Sequence, residues 1–394
     1  MKLFLTVDFF KQRNLLSYFE RRFKIKETMK NILVKMTCWL VGLLFIFSGL
    51  IKANDPLGLS YKMQEFFEAW HMPFLNSISL GSSIIMNILE IVAGIAIIIG
   101  YQSKFFTRLL LLLIVFFTFL TSYVLFSGKI TACGCFGECV PLTPIQTFTK
   151  DVILLLFIIF ITFEYKKIQP LFAHKISKNI IIISILLVSF LQWYVLNHLP
   201  FLDCLPYKKG NNILQQMQAP PNSYPDSVVI YYNYKKDGKM FKIDASHFPD
   251  DFDSTYVQIG DEEKIVVRKG NNTPKIVDFT LSKLNDNINI GTEILNQDKK
   301  YVMILVKNFP NKPNAISDFL NLEVLQELQK QYPIYIVTSD VVNARNLFLK
   351  DVEFLKLDAT VLKTAARVNP TYFLMDGASI LKKASAVDAA TLIK

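Results

Sequence analysis

Residues 105–126 read FFTRLLLLLIVFFTFLTSYVLF, with Arg108 as their one charged side chain. A helix needs about 20 mostly apolar residues to cross a bilayer, so this stretch is a span and the chain must re-emerge into water beyond it. It re-emerges as Cys133-Gly134-Cys135-Phe136-Gly137-Glu138-Cys139, which puts three of the five cysteines into one short connection. Working outward, four further stretches have the length and composition of spans: roughly 32–51, 80–100, 147–163 and 179–196. All five precede residue 200, and 52% of the residues are hydrophobic, 33 of them Phe. The expected fold is a membrane all-α helical bundle of five transmembrane helices, followed by a separate α/β domain.

Orientation follows from the basic residues of the short connections. Lys11, Arg13, Arg21, Arg22, Lys24, Lys26, Lys30 and Lys35 precede or open the first span, Lys104 and Arg108 follow the second, and Lys166, Lys167, Lys175 and Lys178 follow the fourth. These belong in the cytoplasm. The connections 52–79 and 127–146 hold only Lys52, Lys62 and Lys129 among the acids Asp55, Glu65, Glu68 and Glu138, so they face outward. An odd number of crossings then exports everything after Leu199. From that residue on there are 24 basic and 23 acidic side chains, so nearly all of the net charge of +10 belongs to the membrane half. A nucleic-acid interface would need basic residues clustered on the soluble part, and that partner class is excluded. Residues 1–30 read as a cytoplasmic lead, since Leu3–Phe10 is short, broken by Asp8 and lacks a cleavage signal. Met29 would serve equally as a start.

The tail opens on linker sequence with Pro220, Pro221 and Pro225, and 199–273 is expected to be a linker with a β-rich segment. Strands are expected at 228–234 and 239–244 about Asp237-Gly238, then at 255–259 and 264–268. Beyond residue 273 strand and helix alternate: strands at 301–306, 334–337, 372–375 and 379–383, helices at 315–331, 343–350 and 359–367. That order implies a mixed sheet with helices against it.

Several separate stretches carry a resemblance: Phe47-Ser48-Gly49-Leu50-Ile51-Lys52 with Asp55-Pro56-Leu57-Gly58, Glu90 with Gly94, Cys133-Gly134-Cys135-Phe136-Gly137 running to Thr147-Phe148-Thr149-Lys150-Asp151, and Asp203-Cys204-Leu205-Pro206-Tyr207 with Gly210. Together they resemble the DoxX/MauE-like membrane proteins, in the Bacteroidetes variety with an exported C-terminal domain. The resemblance implies a four-helix membrane domain over 31–165, with the fifth helix at 178–198. It also implies support of disulfide formation, since MauE-like proteins serve methylamine dehydrogenase in methylamine utilisation. Nothing in the chain points to methylamine itself. Residues 274–394 are similar to a thioredoxin fold, on Pro274–Phe279, Tyr301–Val306 and Asn369-Pro370-Thr371-Tyr372-Phe373, where Pro370 matches that family's cis-proline. The departure is large: Lys307-Asn308-Phe309-Pro310-Asn311-Lys312 stands where Cys-x-x-Cys would be, and no cysteine follows Cys204. This domain cannot exchange dithiols by itself.

The candidate site residues are therefore Cys133, Cys135, Cys139 and Cys204, all placed on the outer side, with Glu90 as an intramembrane acid. Three readings of the thiols stay open. They are structural disulfides, one bond inside the loop and one tying Cys204 to a loop cysteine; or a relay in which Cys133 or Cys135 accepts a client thiolate and Cys139 or Cys204 resolves it; or a zinc site of four thiolates. A relay needs an electron sink, and the resemblance suggests a quinone at the outer helix ends. Cys38, inside the first span, reads as packing. Glu90 must point into the bundle, where it is paired or handles protons. Lys52, Asp55, Lys150 and Asp151 read as interfacial anchors. The expected role is envelope thiol–disulfide or quinone-linked redox support in a bacterial inner membrane. The alternative is a non-enzymatic scaffold whose exported domain recruits a protein partner.

Overall fold

The computed structural model describes residues 2–393 apart from 131–132, 135, 226, 269, 286–287, 311–314 and 348, with backbone alone for 2–26 and 264–268. Six longer helices come first: α1 Lys2–Asn54, α2 Pro56–Ala69, α3 Ser79–Ile99, α4 Ser103–Ser127, α5 Pro144–Phe163 and α6 His174–Asn197. Five segments are long and apolar enough to cross a membrane, namely Glu27–Asn54, Pro73–Ile99, Ser103–Ser127, Pro144–Phe163 and His174–Asn197. Two details depart from the sequence expectation. The lead is continuous with the first span, because no Gly or Pro occurs before Gly42 to interrupt the helix. The connection after α1 is not a plain loop but α2, started by the Asp55 carboxylate, which accepts from Gly58 N at 3.0 Å, with Pro56 in the first helical turn.

Apolar side chains face lipid as readily as each other, so helix association in a bilayer depends on close backbone approach and polar contacts. Both are present. A Cβ on Gly42 would lie 2.7 Å from Gly94 O and one on Gly94 2.7 Å from Gly42 O, so α1 and α3 cross backbone to backbone at these two residues. Asn87 on α3 donates to Gln192 Oε1 on α6 at 3.0 Å and holds the fifth span against the other four.

The tail begins with the short helix α7 (Ile213–Gln216). A four-stranded antiparallel sheet follows, in which β1 (Ser227–Lys236) pairs with β2 (Lys239–Asp244), β3 (Val257–Gln258) and β4 (Glu263–Arg268). Asp237 and Gly238 both have positive φ, 50° and 78°, as the two-residue hairpin turn between β1 and β2 demands. The α/β domain proper contains β5 (Ser282–Lys283), α8 (Gly291–Leu295), β6 (Lys300–Val306), α9 (Ile316–Phe319), α10 (Leu322–Gln329), β7 (Ile334–Thr338), α11 (Val341–Arg345), β8 (Val352–Lys356), α12 (Ala359–Ala365), β9 (Thr371–Asp376) and β10 (Ser379–Ser385). Its sheet runs β10-β9-β6-β7-β8-β5, parallel across β6-β7-β8 and antiparallel elsewhere. Central β6 is buried on both faces: Tyr301, Met303 and Leu305 enter one core, Val302, Ile304 and Val306 the other.

The helix expected at 315–331 is broken by Asn321, whose φ of 47° is left-handed, into α9 and α10. The helix expected at 343–350 is only the short α11, and Phe348 lies outside the described residues. Strand β8 was not anticipated. Its exposed Glu353 and Lys356 keep the stretch from reading as an apolar run.

Candidate functional site

Two ion pairs lie inside the membrane bundle beneath the cysteine loop. Ser48 and Lys52 stand one turn apart on α1 and so share a face. Ser48 Oγ donates to Glu90 Oε2 at 3.1 Å, and the Lys52 ammonium donates to Glu90 Oε1. Lys52 is 3% exposed and Glu90 1%, so each charge depends on the other. On α5, Lys150 Nζ is 2.8 Å from Asp151 Oδ1, and Asp151 is 1% exposed. Its second oxygen, Oδ2, is buried without a hydrogen-bond partner among the described residues. All four side chains line one cavity of about 20 Å³, room for about one water molecule. Phe136 lies in its wall, with Lys150 Nζ 4.4 Å from the Phe136 ring centroid. On the far side Lys52 Nζ lies 4.5 Å from the Phe117 ring centroid.

These positions correct the anchor reading. Lys52, Lys150 and Asp151 turn into the bundle rather than out to the interface, because α2 and the cysteine loop close over the helix ends and Glu90, Ser48 and the charges themselves offer partners inside. Asp55 is neither anchor nor part of this cavity: besides capping α2 it accepts from Arg367 Nε of the α/β domain at 2.8 Å. Glu90 points inward and is paired, as its place in a span requires.

The thiols divide into two groups. Cys139 and Cys204 form a disulfide with Cα atoms 5.0 Å apart, joining the loop between α4 and α5 to the chain just past α6. This removes two of the four sulfurs that a zinc site would need. Among the described residues, no group of three or more His, Cys, Asp or Glu side chains is gathered as for a metal ion. Cys133 is buried and lines a second cavity of about 20 Å³ whose wall includes Lys52, Lys62, Phe66 and Phe117. Lys52 and Phe117 belong to both cavities, so Cys133 and the ion pairs lie on either side of a shared wall. Gly134 has φ +74°, and a Cβ there would come within 3.0 Å of Lys62 Cγ, so the loop sits directly on α2. Cys135 lies outside the described residues. Cys38 is buried in the bundle core, as expected.

The α/β domain docks on the other side of α2. Tyr61 carries three cations near its ring, with Lys307 Nζ, Lys363 Nζ and Arg367 Cζ 5.6, 5.5 and 5.6 Å from the centroid. Lys307 follows β6 directly. It donates to Tyr61 Oη and to Arg367 O, both at 2.9 Å, while its backbone N–H donates to Asn369 Oδ1 at 2.8 Å. The Asn369-Pro370 peptide is cis, at the position expected. Burial pushes the Tyr61 phenol up to about 12. Burial also pushes the Lys307 amine down to about 7, with Arg367 and Lys363 acting in the same direction and Asp55 opposing.

A pH dependence follows from Lys307. Its amine in the folded protein titrates near 7 against 10.5 when exposed. Below the folded value both states are protonated and folding bears the whole cost of the buried charge; between the two values only the unfolded state binds the proton, so stability rises with pH. Relative to Lys307→Met, the wild-type chain should gain about 1.4 kcal/mol per pH unit from about pH 7 upward. Thermal unfolding of both proteins across that range checks this, and a difference independent of pH would remove the argument.

Sequence reasoning singled out Glu90 and the cysteines as candidates, read Lys52, Lys150 and Asp151 as anchors, and did not single out Tyr61 or Arg367. The signal for the three read as anchors was the mixture of charges of both signs, Lys52, Asp55, Lys150 and Asp151, at span ends that share one side. Asp55-Pro56 was the signal for α2 and hence for Tyr61. Arg367 announced nothing, since its partner is 312 residues away in sequence.

Bundle, ion pairs and cysteine loop define a polytopic membrane protein with a polar centre at one end and an attached α/β domain. Residues 30–164 match the family model for methylamine utilisation protein MauE, a stretch that contains both ion pairs, Cys133 and Cys139 but stops short of Cys204. The chain therefore carries a MauE-like membrane domain. Protein TlpB of Flavobacterium psychrophilum is 28% identical over 179 residues, which cover 44% of this chain and 44% of that protein. The chain thus matches less than half the length of that relative. No solved structure matches.

Proposed function

We propose that this protein supports thiol–disulfide or quinone-linked redox chemistry in the bacterial envelope. In this reading it sits in the inner membrane with the basic end of the bundle in the cytoplasm and the α/β domain in the periplasm. The observation that carries the reading is the shared wall between Cys133 and the Lys52–Glu90 pair, which sets a thiol against a buried acid–base group. With Cys139 and Cys204 bonded to each other, exchange falls to Cys133 and Cys135. A client thiolate attacks one sulfur of a Cys133–Cys135 disulfide, and the client's second thiol then displaces the mixed bond. The client leaves oxidised and two electrons remain on the Cys133–Cys135 dithiol. Reoxidation passes the two electrons and two protons to a quinone, which becomes a quinol, and Glu90, Lys52 and Asp151 hold protons close to that transfer. The tail takes a thioredoxin-like part without thiols, docked on α2 by the end that bears Lys307 and Pro370. That docking, with the Cys139–Cys204 bond as a staple, supports the second reading, a membrane scaffold that performs no exchange.

Trapping separates the two. Cys133→Ser and Cys135→Ser should each leave one thiol that attacks the disulfide of an oxidised client and, lacking its partner cysteine, holds that client as a mixed disulfide while the client's other sulfur leaves as a thiol, visible on non-reducing gels and absent when both are replaced. If neither single variant traps a client, and the wild-type pair keeps one oxidation state whether respiration runs or is blocked, the scaffold reading replaces the redox one.

A further inference from the structure

A cavity of about 340 Å³ opens at the other end of the bundle, between the first turns of the α1 span, the end of α3 and the connection 167–171. It shares no residue with the two cavities beside the cysteine loop, and neither the redox reading nor the family match gives it a role. Its shape is built in. Leu171 N donates to Ile99 O at 2.9 Å, and a Cβ on Gly100, whose φ is +68°, would come within 2.5 Å of Gln169 O. Only a glycine lets the connection press so closely on the end of α3 and complete the wall.

The lining divides by chemistry. Trp39, Ile97 and Ile98 supply apolar surface, and Lys35 and Lys167 supply positive charge. Lys35 stands one helical turn nearer the start of the span than Trp39, so the charged part of the cavity is the part nearer the membrane surface. Carboxylates are short here. Glu164 is shared between Lys30 at 2.6 Å and Lys167 at 3.4 Å, and no carboxylate lies within ion-pair distance of Lys35 among the described residues. An occupant that completes this site has an anionic head for the two lysines and an apolar chain for Trp39 and the isoleucines.

We propose that the cavity binds an anionic phospholipid, its phosphate between Lys35 and Lys167 and the first part of one acyl chain against Trp39, Ile97 and Ile98. The volume suits a headgroup and the root of a chain, with the remainder of the lipid in the bilayer. The chemistry selects a membrane lipid over a soluble phosphate, because a free anion would leave the Trp39 wall uncovered.

Native mass spectrometry of the full chain in detergent tests this with dioleoyl phosphatidylglycerol, dioleoyl phosphatidylcholine and glycerol 3-phosphate as probes. Phosphatidylglycerol should stay bound, while phosphatidylcholine and glycerol 3-phosphate bind far less. Lys35→Gln and Lys167→Gln should each weaken phosphatidylglycerol roughly fivefold, the effect of one lysine on an anionic headgroup. Lys104→Gln with Arg108→Gln, on a basic groove at the same end that meets the cavity only at Ile168, should change it little. Equal retention of the two lipids, unchanged retention in the Lys35→Gln/Lys167→Gln protein, or an equal loss in the Lys104→Gln/Arg108→Gln protein would each overturn the assignment. Glycerol 3-phosphate bound as tightly as phosphatidylglycerol would make the site one for a soluble anion instead.

Discussion

Lys52→Met should be among the most damaging single substitutions in the bundle, at about 3–5 kcal/mol, while Lys52→Met combined with Glu90→Gln should recover most of the loss. The pair lies at 1–3% exposure inside a membrane helix bundle, where the charge of Glu90 is offset by the ammonium and by the Ser48 hydroxyl. Removing the ammonium leaves a carboxylate with one neutral donor and no access to bulk water. Converting Glu90 to an amide as well removes the charge that made the deletion costly, so the two effects are far from additive. Glu90→Gln alone should resemble Lys52→Met, since it strands the lysine. The fraction of detergent-solubilised protein still monodisperse after heating orders the four proteins, with the double variant above both singles. If Lys52→Met is no worse than the double variant, Glu90 is not held as a buried anion and the redox reading loses its acid–base group.

The parts of this arrangement that were legible in the sequence are those encoded locally. Each span announced itself as an apolar run, Asp237-Gly238 fixed its hairpin by turn chemistry, and the unbroken apolar run Tyr301–Val306 marked the doubly buried strand. The carboxylate of Glu90 could be placed inside the bundle because lipid offers it nothing. What could not be read is long-range. Lys52, Lys150 and Asp151 sit at span ends, where snorkelling to the interface and turning inward look identical in sequence. Only α2, lying across the helix ends and packed against Gly134 through Lys62, makes the inward choice the favourable one. The α/β domain posed the same difficulty. In sequence Lys307 is one lysine among many, and it gains meaning only from Tyr61, 246 positions earlier.

The Cys139–Cys204 bond should show its largest effect on the attachment of the α/β domain. It closes a separation of 65 residues, a closure that chain-entropy arguments value at roughly 4 kcal/mol. Helices α5 and α6 lie within that loop, and inserted spans already restrict the unfolded chain, so the effect on the bundle should fall below this figure. The segment just past α6 has no such restraint. It is tied by Asp203 to Lys383 at 2.7 Å, by the Asn54 side chain to Leu202 O at 2.9 Å and by His198 to Asp388 at 2.9 Å. The Asp55–Arg367 pair and the Tyr61 cluster, which hold the domain to α2, engage the tail only farther along, at Lys307, Lys363 and Arg367. Cys204→Ser should therefore leave the domain folded and the bundle intact but speed protease cleavage between 199 and 225, and it should free the Cys139 thiol for alkylation. Adding Asp55→Asn should loosen the domain further, by more than either change alone, because the disulfide and the Arg367 contact restrain the same docking. Mass spectrometry of non-reduced, alkylated protein decides the first point through the linked Cys139 and Cys204 peptides. Recovery of Cys204 entirely as a free thiol from fresh membranes would show that the domain is held without a disulfide, by the α2 contacts and the polar ties past α6.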